Sequence, residues 1–148
     1  MGVDDPGTVS SPSAGSGLHL RAVPAVAEQA GAVRTAVLRW ARAVCRSREV
    51  VEDIGFAVYE AMANVIDHAY PAGAAHPVFD VHAEREADMV TVVVADHGRW
   101  KARDPDSATP WRGRGLLLIE KLAAEFELCQ NAAGTLVRMR WPCTRPAG

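Results

Sequence analysis

Glu60, Asn64, Asp67 and His68 stand in the run "EAMANVIDHAY", an otherwise apolar stretch. At 100° per residue they share about a third of a helix circumference, while Ala61, Met62, Val65, Ile66 and Ala69 fill the other side. An acid and an amide one turn apart can serve a site that holds a phosphate-bound cation. Glu60 can act as a general base, and the Asn64 amide oxygen can ligate magnesium, a hard cation that takes oxygen donors and keeps most of its waters. The same stripe also fits the solvated face of an amphipathic helix.

Two further patterns stand later in the chain. "ADHG" ends the apolar run "MVTVVV", so Asp96 can present a carboxylate at a cavity mouth, and Gly98 lets backbone approach a ligand closely. "GRGL", Gly113 to Leu116, heads an apolar helical run, where glycines free backbone N–H groups to cradle a phosphate at the positive end of a helix dipole. Taken singly, the first also fits an ordinary turn at a strand end and the second a flexible start to a helix.

These residues need elements to hold them. Residues 1–16 are mostly Gly, Pro, Ser and Asp with little to bury and read as a disordered tail, and residues 144–148 read as a C-terminal tail. Between them, 17–143 reads as one domain. "LHLRAV" alternates Leu18, Leu20 and Ala22 against His19, Arg21 and Val23 as a short strand, and Pro24 begins a first helix with Val26, Ala30, Val33, Val37, Trp40 and Ala41 in phase. A second helix covers roughly Glu49 to Tyr70 and stops at Pro71. "PVFDVHAE" and "MVTVVVADHG" form a hairpin about the charged turn Arg85 to Asp88; a long polar loop from His97 to Arg112 is a candidate lid; a third helix comes next. "FELCQ" and "TLVRMRW" close the chain as a second hairpin, with Val137, Met139 and Trp141 on one face. The order predicts an α+β two-layer sandwich, a mostly antiparallel sheet with its helices on one face.

Composition narrows the partners. With 16 basic and 18 acidic residues the net charge of -2 argues against a protein built to neutralise nucleic acid backbones. Three cysteines at Cys45, Cys129 and Cys143, without C-x-x-C spacing, suit free thiols in a reducing cytosol better than a disulfide framework or a zinc site. The N-terminal stretch lacks the basic and apolar regions of a signal peptide, and no apolar run is long enough to span a bilayer. The expectation is a soluble, cytoplasmic protein. His19, His76 and His82 show no metal-ligand spacing, and Arg34, Arg39, Arg42 and Arg46 read as a solvated helix face or as a docking surface for an acidic partner.

The three patterns in this order, with Gly134-Thr135 at the start of a later strand, resemble the ATP-binding fold shared by gyrase, histidine kinases and related ATPases, the GHKL superfamily. Within it, "EAMANVIDHAY" and "GRGLLLIEKLA" are similar to the bacterial anti-sigma-factor serine/threonine kinases over about residues 18 to 142. The resemblance implies ATP and magnesium as cofactors. It implies Glu60 as the catalytic base, Asn64 as the magnesium ligand, Asp96 as acceptor of the adenine amino proton with Gly98 beside it, and Thr135 near the adenine. Gly113 and Gly115 are the implied phosphate-binding glycines, within the segment Gly113, Arg114, Gly115 and Leu116; Arg112 and Arg114 can neutralise phosphate charge, although no family motif assigns them that role. It also implies a homodimer that sequesters an alternative sigma factor and phosphorylates an anti-sigma-factor antagonist. A non-catalytic ATP-binding module that acts by sequestration, and a histidine-kinase catalytic domain detached from its phospho-acceptor helices, are the competing readings. Arg99 and Trp100 depart from the family wording after Gly98.

Overall fold

The computed structural model of the protein describes residues 17–98 and 114–144. The tail 1–16, residues 99–113 with most of the expected lid loop and Gly113, and residues 145–148 lie outside them. The chain runs β1 (Leu18–Pro24), α1 (Ala27–Val44), α2 (Arg48–Asn64), a π-helical turn (Val65–Ala69), β2 (Val78–Glu86), β3 (Met89–Asp96), α3 (Arg114–Leu122), β4 (Glu125–Asn131) and β5 (Gly134–Pro142). The strands form one sheet in the order β1-β2-β3-β5-β4, antiparallel at every pairing.

Period-two patterning decides which face is covered. In β3, Val90, Val92, Val94 and Asp96 are buried while Thr91, Val93 and Ala95 are only half-buried; Val137, Met139 and Trp141 repeat this in β5. The inward sets pack on Val37, Trp40, Ile54, Val58 and Met62 of α1 and α2, and on Ile119 of α3. At roughly 1.5–3 kcal/mol per fully buried large apolar side chain, this single layer interface is the main stabilising element. The expected two-layer α+β sandwich is the fold observed.

Local chemistry fixes the helix starts. The Ser47 hydroxyl accepts the Val50 N–H at 3.2 Å and caps α2, and Glu49 lies in its first turn, where a negative charge favours the helix dipole. Trp141 is fully packed and donates its indole N–H to the Leu122 carbonyl at 2.9 Å, tying the end of α3 to β5.

Three local expectations are corrected. Pro24 closes β1, in register with Val78, and α1 begins only at Ala27. The alternation in β1 breaks at a bulge between Leu20 and Val23: Ala22 takes φ 53°, its N–H donates to Asp80 Oδ1 at 2.7 Å, and Val23 in place of Ala22 packs on the core. The second helix does not run as an α-helix to Tyr70, because α2 ends at Asn64 and one π turn carries the chain to Ala69.

Sequence spacing also hid a contact between cysteines. Cys45, which caps α1, and Cys143, just past β5, are both buried and their thiols hydrogen-bond to one another, while Cys129 is exposed; all three are free. Burial, then the Cys143 thiol, push the Cys45 thiol up to about 12, against a weaker opposing effect of Arg85.

Candidate nucleotide site

One end of the layer interface is polar. Asp96 and Thr135 are the buried polar residues among those described, each 4% exposed, and they are cross-strand partners, Asp96 ending β3 and Thr135 near the start of β5. Both project to the helix side because both fall in the inward phase of their strands. The Asp96 Oδ1 atom accepts the Gly98 N–H at 3.0 Å, folding the chain back in an Asx turn as it leaves the sheet.

Backbone approach in this region is close enough to require glycine. A Cβ on Gly98 would collide with the Ala69 carbonyl and lie 2.9 Å from Tyr70 Cε1. Gly134 adopts φ 143°, and a Cβ there would collide with the Asp96 carbonyl and lie 2.9 Å from the His97 Cα. The turn after Asp96 is thus pressed between the end of the π turn and the start of β5. Tyr70 ties these parts together, donating to the Val78 carbonyl at 2.7 Å and accepting the His97 N–H at 3.0 Å.

Asn64 is the last residue of α2, half-buried, and its Nδ2 is buried with no hydrogen-bond partner among the described residues. An unpaired buried amide is destabilising by about 1–3 kcal/mol unless a ligand completes it. An amide can offer its oxygen to a hard cation and its N–H to a phosphate oxygen, so this residue fits a magnesium nucleotide. Glu60, one turn earlier, is also half-buried. The expected four-residue stripe therefore divides: Glu60 and Asn64 are partly sheltered, whereas the π turn leaves Asp67 and His68 exposed.

The phosphate-binding segment is described only in part. Gly113 lies outside the described residues, and Arg114 and Gly115 open α3. Leu116 sends its side chain into the core at 3% exposure, so what it can offer a ligand is its first-turn backbone N–H. α3 packs against α2, which carries Glu60 and Asn64. Sequence spacing singled out Asp96, Gly98, Gly134 and Thr135 but gave Tyr70 no role beyond ending a helix. A hydroxyl-bearing aromatic between a polar helix end and Pro71 was the available signal.

A second concave region, of about 760 Å³, lies between α1 and α2 and is lined by Arg34, Arg42, Arg46, Arg48, Phe56 and Cys45, among others. Arg34 sits over the rings of Phe56 at 5.5 Å and Tyr59 at 5.8 Å, and its Nε is buried without a hydrogen-bond partner among the described residues. Phe56 is 52% exposed, an unusual state for a large aromatic side chain on a helix. Three of the four arginines noticed in the sequence line this groove; Arg39 is exposed but is not among the lining residues. Among the described residues, no three His, Cys, Asp or Glu side chains form a metal-holding group, and no helix is long and apolar enough to cross a membrane.

Comparison with known proteins identifies the fold and the family. Residues 23–141 match the histidine kinase-like ATPase domain model. The chain is 29% identical over 132 residues to the serine-protein kinase RsbW of Halalkalibacterium halodurans, with 80% of each chain covered. Among solved structures, it is similar to that of the RsbU and RsbW domains of Rv1364c from Mycobacterium tuberculosis, with TM-score 0.68 and 25% identity over 89% of this chain, and it spans 34% of that longer chain. The histidine kinase domain of the Erythrobacter litoralis EL346 blue-light activated histidine kinase shares the fold, with TM-score 0.55 and 20% identity over 78% of this chain and 60% of that one.

Proposed function

The chain belongs to the histidine kinase-like ATPase domain family, and from that premise we propose that it is a magnesium- and ATP-dependent protein serine/threonine kinase that also acts as an anti-sigma factor. The observation that carries the nucleotide reading is the buried Asn64 amide at the end of α2, a polar group without a protein partner among the described residues, in a domain whose other buried polar pair, Asp96 and Thr135, closes the same helix-to-sheet layer.

In this reading Asn64 holds magnesium, Asp96 accepts an N–H from the adenine amino group, and Thr135 lies beside the base. Gly98 keeps the backbone low enough for the ring to enter. The N–H groups at the start of α3, with Gly113, Arg114, Gly115 and Leu116, hold phosphate oxygens. Bound magnesium ATP would supply the phosphoryl group, with ADP as the leaving group, and the metal would offset negative charge on the phosphates. Glu60 takes the proton from the attacking hydroxyl of the acceptor protein.

We place the partners at the α1–α2 groove. Its arginines and exposed Phe56 suit an acidic protein surface with an apolar anchor, which in this reading belongs to the alternative sigma factor or to the anti-sigma-factor antagonist. The proposed working form is a cytoplasmic homodimer of a domain spanning residues 17–143, with no direct contact to nucleic acid or membrane. A module that sequesters partners without transferring phosphate would need the groove but not Glu60.

Calorimetric titration of ATP and ADP with and without magnesium tests the nucleotide reading. Wild-type protein should bind in a magnesium-dependent way, and Asn64→Ala should weaken that binding by about 10–100-fold. Equal affinity with and without the metal, or an unaffected Asn64→Ala variant, rejects the assignment.

A further inference from the structure

The β2–β3 ladder keeps one register from Glu86↔Met89 at the hairpin turn to Phe79↔Asp96 at its open end. The next rung in that register would pair Val78 with His97. In its place stands the Tyr70 hydroxyl, which donates to the Val78 carbonyl at 2.7 Å and accepts the His97 N–H at 3.0 Å. One oxygen atom thus bridges the His97 N–H and the Val78 carbonyl, one of the two donor–acceptor pairs that a hydrogen-bonded antiparallel rung would exchange directly. It therefore works as a wedge: the strands part after Asp96 while that donor and that acceptor stay paired.

The geometry beyond the wedge depends on it. With the rung open, the chain turns at once, Gly98 donating to Asp96 Oδ1 at 3.0 Å and resting on the Ala69 carbonyl and the Tyr70 ring. His97 is held a second time through its side chain, whose Nε2 lies 3.4 Å from Asp80 Oδ2. Were Val78 and His97 to pair directly, β3 would run on past Asp96, and the turn that uses Oδ1 and seats Gly98 would be lost.

We propose that Tyr70 is a positioning residue that ends the ladder at Asp96, so fixing the direction of the Asp96 carboxylate and with it the pocket's preference for a 6-aminopurine over a 6-oxopurine. The proposal rests on the nucleotide reading above. A carboxylate accepts from an amino N–H, but a 6-oxo group turns an acceptor towards an acceptor, and that contrast operates only while the carboxylate is aimed at the base edge.

Tyr70→Phe removes the oxygen and keeps the ring against Gly98. Its affinities for magnesium ATP and magnesium ITP are measured beside those of the wild type, together with amide exchange at His97 and along β2 and β3. The wild type should favour ATP by at least about a hundredfold, and Tyr70→Phe should lower that ratio about tenfold. The His97 amide should lose protection while the rungs from Phe79↔Asp96 to Glu86↔Met89 keep theirs. An unchanged ATP/ITP ratio, or equal weakening of both ligands, overturns the proposal, since a purely structural role would not alter discrimination. Unchanged His97 protection in the variant removes the wedge itself. If the wild type binds neither nucleotide, the nucleotide reading fails and the specificity claim falls with it; selective wild-type binding with an unaltered variant leaves that reading standing and rejects Tyr70 alone.

Discussion

The end of the sheet at Asp96 and the groove between α1 and α2 are built on opposite physical terms. At the sheet end, glycines at 98 and 134 bring backbone into contact, two polar side chains are buried as a cross-strand pair, and a single hydroxyl bridges two strands. In the groove, charge is gathered from four long arginine side chains on two helices and the turn between them, and an aromatic ring remains half in solvent. The first suits a small rigid ligand read by direction. The second suits a protein surface read by charge and contact area, tolerant of variation in any one residue. On the proposed function, phosphoryl transfer and partner choice should therefore be separable by mutation.

The largest test of that separation is Glu60→Ala. It should reduce phosphorylation of the cognate antagonist by about 10²–10⁴-fold, as loss of a general base does, with ATP affinity and sigma-factor binding retained. A normal transfer rate in a quantitative kinase assay would reject Glu60 as the base. Arg34→Ala should act on the other region, weakening sigma-factor binding about tenfold and reducing its salt dependence, with nucleotide affinity unchanged. Surface plasmon resonance over a salt series measures both quantities. A change in nucleotide affinity of similar size would mean that the two regions are coupled.

The smallest effect concerns the wall of the groove. The Cys45 thiol is pushed up to about 12 in the folded protein from an ordinary value of 9.0, so the folded state holds its proton more tightly than the unfolded chain does. Its contribution is fully present below pH 9 and is lost as pH rises towards 12. Urea midpoints between about pH 8 and 11 should fall less steeply for Cys45→Ala than for the wild type. Parallel slopes would show that the thiol is not held in this way.

Sequence periodicity placed the sheet and its buried face well, because residues such as Val90, Val92 and Val94 alternate without interruption and the last inward position of the run is Asp96. Candidate site residues were legible for a related reason: a carboxylate, an amide and glycines are chemically restrictive at fixed spacing. The failures lie where a local rule yields to a contact from afar. The β1 bulge depends on Asp80, which is 58 residues from Ala22, and no alternation in "LHLRAV" encodes it. The contact between Cys45 and Cys143 depends on the whole topology. The groove was half-visible, since helical spacing aligns Arg34 and Arg42, but Arg46 lies past the end of α1, and Arg48 and Phe56 come from another helix whose approach a one-dimensional pattern does not reveal.

The π turn over Val65–Ala69 has a consequence for how this segment can change in length. Such a turn is in effect an α-helix that takes up one extra residue without turning the chain beyond it, so removing one residue there would restore the regular winding and leave Ala69 under Gly98 and the Tyr70 hydroxyl between Val78 and His97. Single-residue deletions at exposed Asp67 or His68 should therefore be absorbed at this turn, whereas the same deletion within α2 would rotate the downstream chain by about 100° and carry the tyrosine away from both partners.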